Sequence, residues 1–461
     1  MAGPGPALVA PELAPEPTAA RPPRQRRSVL FLQGPASTLW AEVADRFAKR
    51  GHAVHRVNLT LGDWLYWRRR GAINYRGSLT NWESWLEALL RREGVTDIVY
   101  FADRLPYHRV AARLAARMGL RAWAVENGYL RPDWLTLEPV AMGRHSHFTR
   151  CPETIGRLAE GRPLPSFARR YPVPFRVEAV NEVLFNLAHI FGRPLFPHYV
   201  SDKAVAPALE YLGWLPHLVL AGPRRRAATR VERRLCGPGA PPFFLVTLQM
   251  ETDYQIRASS DFTSQRDMLE IVIGSFARRA EPGAELLVKV HPFDNGLISW
   301  QRVAAKLAGA FGVARRVSVV RGGNLERMVA AARGLVTINS TSAVQALRAG
   351  CPVVTLGDAI FDLPGLTHQS GLERFWAEPE APEASFFDNW CRAVAAEIQL
   401  RGSQMNPEGR AAAAAEIVRR IEQADRYWQL YPPPGAETKT AAPGSLRAAA
   451  EPMPSRHRAV G

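Results

Sequence analysis

Polar residues with catalytic side chains follow an apolar run in the middle of the chain. In FFLVTLQMETD (243–253) the apolar residues predict a strand, and Gln249 and Asp253 follow where that strand would end. A carboxylate at such a position can accept a proton as a general base or attack an electrophilic carbon as a nucleophile. It can equally be structural, paired with Arg257. Spacing alone leaves these three roles open.

A lysine and a histidine form a second candidate group. Lys289 and His291 lie two residues apart in ELLVKVHPFDNG, so as strand residues they would share one face of the sheet. Pro292 restricts the backbone where it leaves the sheet. Such side chains at a strand end can neutralise a departing phosphate. For His291 a hydrogen bond to a backbone carbonyl is an equally good structural explanation.

Three consecutive hydroxyl residues follow an asparagine in TINSTSAVQALRAG. The residues are Asn339, Ser340, Thr341 and Ser342, at a predicted junction between a strand and a helix. One hydroxyl there would cap the helix. The run is longer than one cap needs, and the N–H groups at a helix start also bind phosphate. We therefore take the four residues as candidates for binding the phosphate of a donor substrate.

A fourth polar group follows the last strand predicted in the first half of the chain. The stretch VENGYLRPDWLTLE contains Glu126, Tyr129, Arg131 and Asp133. The sequence has no D-x-D pair of the kind that binds a nucleotide diphosphate through a metal ion. We therefore expect a donor whose leaving group needs neither a divalent ion nor a cofactor.

Alternating strands and helices would bring these groups together. Short apolar runs predict strands at 28–34, 53–59, 97–103, 121–126, 243–249, 285–292, 316–323, 334–340 and 352–358. Helix-like segments separate them, so we expect an α/β fold of two Rossmann-like, doubly wound domains that face a cleft, the GT-B architecture. The sequence lacks G-x-G-x-x-G after the first strand and also lacks G-x-x-x-x-G-K-[ST], which disfavours a dinucleotide fold and a P-loop.

Composition divides the chain into six segments. We expect low-complexity, disordered tails at 1–27 and 432–461. Between the tails lie an acceptor domain at 28–200, a basic linker at 201–240, a donor domain at 241–405 and a terminal helix at 406–431 that crosses back.

Charge limits the classes of partner. The chain has 59 Lys+Arg against 43 Asp+Glu, a formal net charge of +16, which suits an anionic substrate or membrane surface. No nucleic-acid module signature occurs, so we expect no nucleic-acid partner. Tryptophan and arginine interleave at 62–77 and 213–226, as in peripheral membrane contacts or in a solvated basic face. Scattered cysteines, no secretory signal and no apolar run of spanning length predict a cytoplasmic, soluble or peripheral protein.

Taken together, these stretches resemble the bacterial capsular polysaccharide synthesis and export family. The resemblance runs in order from about residue 28 to 405. It is carried by FLQGPASTLWAEVADRFAKRG, VENGYLRPDWLTLE, KVHPFDNGL, TINSTSAVQALRAGCPV and FDLPGLTHQSGLERFW. The chain most resembles the family's single-domain member that begins the capsule's lipid anchor.

The resemblance implies a retaining β-Kdo transferase that moves Kdo from CMP-Kdo to phosphatidylglycerol on the cytoplasmic face of the inner membrane. Such enzymes have a Q-x-x-x-D motif with a proposed aspartate nucleophile, matched here by Gln249 and Asp253, and an H-P motif that serves the donor, matched by His291 and Pro292. Glu126, or less readily Glu251, would deprotonate the acceptor.

The remaining candidates have roles on one side or the other of the cleft. Lys289 and the run from Asn339 to Ser342 would hold the donor phosphate, and the acceptor-side candidates are Tyr129, Arg131 and Asp133. The expected partners are the CMP-sugar, phosphatidylglycerol, the anionic inner-membrane surface and other capsule synthesis or export proteins. Two alternatives remain open: a CMP-sialic-acid-type transferase, and a non-catalytic export accessory protein that binds lipid-linked polymer.

Overall fold

The computed structural model describes residues 26–201, 222–251, 256 and 259–423. Asp253, to which the resemblance assigns the nucleophilic role, lies outside the described residues, and so does Arg257. The predicted tails fall almost entirely outside them, as do residues 202–221 of the predicted linker.

Strands and helices alternate through the first half of the chain. The strands are β1 (Ser28–Phe31), β2 (Ala53–Asn58), β3 (Ile73–Asn74), β4 (Asp97–Phe101), β5 (Arg121–Asn127) and β6 (Trp134–Pro139). The helices are α1 (Leu39–Lys49), α2 (Leu61–Trp67), α3 (Trp82–Arg92), α4 (Pro106–Met118), α5 (Pro152–Ala159) and α6 (Phe175–Phe191). Short 3-10 turns occupy Leu79–Asn81 and Gly143–His145.

The second half repeats the alternation after a helix, α7, over residues 222–235. Its strands are β7 (Phe243–Thr247), β8 (Glu285–Val290), β9 (Val317–Arg321), β10 (Gly334–Thr337), β11 (Val353–Thr355) and β12 (Gln399–Arg401). Its helices are α8 (Gln265–Arg279), α9 (Trp300–Ala310), α10 (Leu325–Ala331), α11 (Ser342–Arg348), α12 (Leu372–Phe375), α13 (Ala384–Glu397) and α14 (Pro407–Glu422). Each of the nine predicted runs contains a strand.

The two sheets share one order of parallel strands. The first runs β3-β2-β1-β4-β5-β6-β12, parallel from β3 to β5 and antiparallel at β6 and β12. The second runs β9-β8-β7-β10-β11 and is parallel throughout. In each sheet the order reverses beside the first strand, between β1 and β4 or between β7 and β10. Ligands of such sheets bind at the carboxyl ends of the strands, in the crevice at that reversal.

Helices cover both faces of each sheet, which explains the nearly continuous apolar strands. On β1, Phe31 and Leu30 belong to core clusters on opposite faces. On β7, Leu245 and Phe244 do the same. The predicted α/β class with two Rossmann-like units, the organisation found in GT-B enzymes, is confirmed.

The end of the described chain returns to the first sheet. β12 pairs antiparallel with β6, where Leu400 lies opposite Leu135. α14 then packs along α1, and its residues Ile417 and Ile421 share a core cluster with Phe47. The chain therefore completes its first sheet only after it has built the second.

Two observed boundaries differ from the predicted ones. β12 falls within the predicted donor domain (241–405) but belongs to the first sheet, because it pairs with the free edge of β6. Conversely, Phe148 and Ile155 fall within the predicted acceptor domain (28–200) but lie in a core cluster of the second sheet. There α5 packs against α13, so the segment around α5 bridges the two halves.

Candidate active site

Gln249 and Asn339 form a reciprocal pair at the strand reversal of the second sheet. The register pairs Val246 with Val336, so the two polar residues follow their strands side by side. The Gln249 side-chain amide donates to Asn339 Oδ1 at 2.9 Å, and the Asn339 backbone N–H donates to Gln249 Oε1 at 3.4 Å. Gln249 is buried. This pair marks the crevice where a ligand of the second sheet would bind.

A second glutamine clamps the backbone of the first. The Gln249 N–H donates to Gln265 Oε1 at 2.6 Å, and the Gln265 side-chain amide donates to the Gln249 carbonyl. The Gln265 backbone N–H in turn donates to the Glu251 carboxylate at 3.1 Å. Sequence reasoning missed Gln265, because a glutamine just after the N-cap residue Ser264 normally faces solvent. Here it is fully buried and fixes the exit from β7.

The predicted hydroxyl run lies beside this pair, but its side chains make hydrogen bonds within the protein. Ser340 Oγ accepts from the Ser342 N–H at 3.2 Å, and Ser342 Oγ lies 2.8 Å from Thr247 Oγ1. Thr341 is the N-cap residue of α11 and makes no side-chain capping bond. The structure thus brings the run together with the end of β7, and its donor-binding role stays a prediction. Thr247 was missed because it reads as part of the apolar strand.

Lys289 organises the loop after β9. Its ammonium group donates to the carbonyls of Gly322 and Gly323, the latter at 3.2 Å. Both glycines have positive φ angles, 108° and 77°, which glycine adopts without strain. Burial lowers the pKa of Lys289, and the nearby carboxylate of Glu232 opposes that effect. Lys289 therefore places a partly desolvated positive charge beside the crevice.

His291 lies just beyond the end of β8 and is neutral near physiological pH. Its Nδ1 accepts from the Phe293 N–H at 3.1 Å, so Nε2 bears the proton and can donate to a ligand. The pKa of His291 is lowered to about 4, mainly by burial and also by the positive charges of Arg131 and Lys289, while the carboxylate of Asp294 opposes these effects. His291 can therefore act as a hydrogen-bond donor without being a cation.

The loop that begins with His291 and Pro292 is held by Asp294. This buried carboxylate accepts from Trp300 Nε1 at 2.8 Å and from the Gly296 N–H at 3.0 Å, and it forms an ion pair with Arg321. Asp294 is thus a structural group, which fixes the backbone on which His291 is mounted.

Arg131 brings the first sheet into the site. Arg131 follows β5 of the first sheet, and its positive charge is one of the influences that lower the pKa of His291, which follows β8 of the second sheet. Arg131 is exposed, and its Nε donates to the Gly128 carbonyl at 3.3 Å. An ion pair between Arg144 and Asp358 at 3.2 Å also joins the two halves.

The other candidate residues of the first sheet differ in their burial and in their hydrogen bonds. Glu126 is half-buried near the end of β5. The Tyr129 hydroxyl accepts from the Gly143 N–H at 3.3 Å, and burial together with nearby carboxylates raises its pKa well above the usual value. The Asp133 carboxylate accepts the backbone N–H groups of Arg170 and Tyr171. Asp133 therefore anchors a loop, and the acceptor-side roles of Tyr129 and Asp133 stay predictions.

A buried acid lies behind Tyr129. Glu138, on β6, is completely buried, and desolvation raises its pKa to about 8 despite a hydrogen bond from Ser146. The carboxylate of Asp103 contributes to this increase. Glu138 is therefore protonated at neutral pH.

The comparisons with known proteins agree on one family. Residues 96–404 match the family model described as capsule polysaccharide biosynthesis protein. The chain is 29% identical over 361 residues to the capsule polysaccharide export protein KpsS of Escherichia coli, covering 78% of this chain and 92% of that protein. It is 30% identical over 372 residues to the capsule polysaccharide modification protein LipB of Neisseria meningitidis serogroup B, covering 78% and 87%.

The β-Kdo 2,7 transferase KpsC of Thermosulfurimonas dismutans is one of the solved structures to which the chain is similar. The sequence identity is 13% and the TM-score is 0.41, over 85% of this chain and 99% of that one. The family model spans more than half of the chain, and the match to LipB extends over most of both proteins. The protein belongs to the capsule polysaccharide biosynthesis family.

Proposed function

We propose that the protein is a retaining glycosyltransferase that moves Kdo from CMP-Kdo to phosphatidylglycerol, the first step of the capsule's glycolipid anchor. The observation that carries the proposal is the meeting of Gln249, Asn339, Lys289 and His291 with Arg131 from the first sheet. Hydrogen-bond donors and positive charge converge there on the carboxyl ends of parallel strands, where an anionic nucleotide sugar binds.

The donor matches this set of groups. CMP-Kdo has one phosphate and one sugar carboxylate, and both are negative at neutral pH. Arg131 and Lys289 supply positive charge, and the neutral His291 supplies an Nε2–H donor. The leaving group is a nucleoside monophosphate, whose charge such residues can neutralise without a metal ion. The proposed donor is therefore CMP-Kdo with no cofactor.

The proposed reaction has two displacements. An Asp253 carboxylate oxygen bonds to the ketosidic carbon of Kdo, and the bond to the phosphate oxygen breaks so that CMP leaves with the electron pair. Glu126 then takes the proton from the phosphatidylglycerol hydroxyl, whose oxygen attacks the same carbon and displaces Asp253. Two inversions retain the configuration. Glu251 is the weaker base candidate, because its carboxylate already accepts a backbone N–H from Gln265.

The proposal is tested with purified protein, CMP-Kdo and phosphatidylglycerol vesicles. We expect a lipid product with one Kdo, loss of that product in Asp253→Ala, and a Kdo adduct on Asp253 in the Glu126→Gln variant, detected by intact mass. Full activity of Asp253→Ala would rule out the nucleophile. Loss of activity without any adduct would favour Asp253 as a base or as a structural group.

The same experiment separates the alternatives. Both CMP-sialic acid and CMP-Kdo present one phosphate and one carboxylate, so either could bind. A CMP-sialic-acid transferase would turn over CMP-sialic acid faster than CMP-Kdo. A non-catalytic export accessory protein would consume neither donor, would bind lipid-linked polymer, and would be indifferent to Asp253→Ala. We propose a peripheral location on the cytoplasmic face of the inner membrane, where both CMP-Kdo and the lipid are accessible.

A further inference from the structure

The helix α6 (Phe175–Phe191) leaves an apolar stripe uncovered. Val177, Val180, Leu184 and Phe191 recur at spacings of three, four and seven residues, so they lie on one face of the helix. Val180 is 55% and Phe191 74% exposed, and Leu184 is also exposed. No helix in the described ranges is long and apolar enough to cross a bilayer. The stripe is about 21 Å long at 1.5 Å per residue.

A neighbouring face of α6 packs against α2. The Tyr66 hydroxyl is 2.9 Å from Asn181 Oδ1, and the rings of Tyr66 and Phe185 lie 6.2 Å apart. A Cβ on Gly62 would lie 2.8 Å from the Phe185 ring, so the two helices approach closely at this glycine. This contact holds α6 against α2 and leaves the stripe exposed.

A basic and aromatic rim surrounds the stripe. On α2, Trp64 is 56% exposed, whereas Tyr66 and Trp67 of the same predicted membrane-contact stretch (62–77) are buried. Arg68, at the end of α2, and Arg176 and Arg193, at the two ends of α6, are exposed. Arginine and tryptophan beside an apolar helix face are typical of helices that lie in the interface of an anionic membrane.

The helix that bears the stripe begins at the candidate active site. Phe175, the first residue of α6, stacks on Phe293 with ring centroids 6.1 Å apart and an interplanar angle of 9°. Phe293 lies 5.8 Å from the His291 ring. Aromatic contacts thus join the H-P loop to the start of α6. A lipid acceptor needs such proximity, because its head group must reach the site while its acyl chains stay in the bilayer.

We propose that the exposed stripe of α6, with Trp64 and the surrounding arginines, rests on an anionic bilayer and presents the candidate active site to lipid at its edge. The identity of the lipid as acceptor rests on the proposed function, but binding of the surface does not. Because the rim is positively charged, we expect it to bind an acidic bilayer rather than a neutral protein surface.

The experiment is flotation of the full-length protein with vesicles of phosphatidylglycerol mixed with phosphatidylcholine, without any donor substrate. We expect Leu184→Asp to weaken vesicle binding at least about tenfold, because it replaces an apolar contact with a charge of the membrane's sign. Arg176→Gln is expected to weaken binding less and to reduce its dependence on salt. Vesicles of pure phosphatidylcholine should bind wild type more weakly.

The matched control is Ile271→Asp. Ile271 is 40% exposed on α8 of the second sheet, so this variant adds the same charge at a similarly exposed aliphatic position away from the stripe. Wild-type binding by Ile271→Asp together with loss in Leu184→Asp supports the proposal, even if the protein transfers no Kdo. Unchanged binding by Leu184→Asp overturns it. So does a wild-type dimer in light scattering that Leu184→Asp converts to monomer while vesicle binding stays unchanged, because the stripe would then join two copies.

Discussion

Gln249 and Asn339 exchange two hydrogen bonds across the crevice between β7 and β10, at 2.9 Å and 3.4 Å. Gln265 holds the Gln249 backbone from the other side. The carboxyl end of β7 is thereby fixed relative to β10. The chain leaves the sheet towards Asp253 from this fixed point. The nucleophilic role proposed for Asp253 would require such a rigid support.

The amide pair is tested by Gln249→Ala. The change removes both hydrogen bonds that the Gln249 side chain exchanges with Asn339, which is partly buried. We expect Kdo transfer to fall at least about tenfold and the free energy of unfolding to fall by about 1–2 kcal/mol. Urea denaturation and a product assay measure the two effects. Gln301→Ala, on the exposed surface of α9, should change neither, and a fully active and stable Gln249→Ala would contradict the prediction.

The meeting of the two sheets is tested by Arg131→Gln. Because the positive charge of Arg131 helps to lower the pKa of His291 to about 4, its removal should raise that pKa towards the ordinary value. A pH titration followed by the nuclear magnetic resonance signals of the imidazole measures the change. Arg113→Gln, exposed on α4, is the control and should leave the titration unchanged. An unchanged His291 titration in Arg131→Gln would mean that the two side chains are not neighbours.

The role of Lys289 is tested by Lys289→Met, which keeps the length of the side chain and removes its charge. The carbonyls of Gly322 and Gly323 then lose their ammonium donor. We expect the free energy of unfolding to fall by about 2 kcal/mol. We also expect weaker binding of CMP in titration calorimetry. Lys306→Met, exposed on α9, should have neither effect, and a Lys289→Met variant that matches wild type in both measurements would refute the assignment.

The buried acid on β6 is tested by Glu138→Gln. The folded chain keeps this group protonated up to a pKa of about 8, whereas the unfolded chain ionises it near 4.5. The pKa is raised on folding, so stability is lost as the pH rises from about 4.5 to 8. The neutral amide avoids this loss, so we expect Glu138→Gln to be more stable than wild type at pH 9, by up to about 5 kcal/mol, and nearly equal at pH 4.5.

Thermal melting at the two pH values measures this difference. Glu160→Gln, exposed after α5, is the matched control and should melt like wild type at both. Equal melting of Glu138→Gln and wild type at pH 9 would show that Glu138 is already ionised in the folded protein.

Much of the fold could be predicted from the sequence, because strands covered on both faces leave unmistakable apolar runs. The polar groups at their carboxyl ends could be predicted to cluster for the same reason. The pairing of Gln249 with Asn339 could not, since it depends on β10 lying next to β7 across about 90 residues of chain. The burial of Gln265 and Glu138 could not be predicted for a different reason. Residue type alone predicts exposure for both side chains, and tertiary packing buries them.

The helix α6 shows the converse limit. Its apolar residues recur at helical spacing, yet several of them face outward. Periodicity reports that a face is apolar, but it does not report what covers that face. Only the packing of Phe185 and Asn181 against α2 shows which side of the helix the protein itself covers.

The return of β12 and α14 to the first sheet has a consequence for synthesis on the ribosome. A nascent chain that has emerged only as far as α6 has an open edge along β6 and an uncovered apolar side on α1. Those surfaces are closed by residues made more than 200 positions later, after every strand of the second sheet has been translated. The first unit to be synthesised is thus the last to be finished, because its completion waits until the whole of the second sheet has been synthesised.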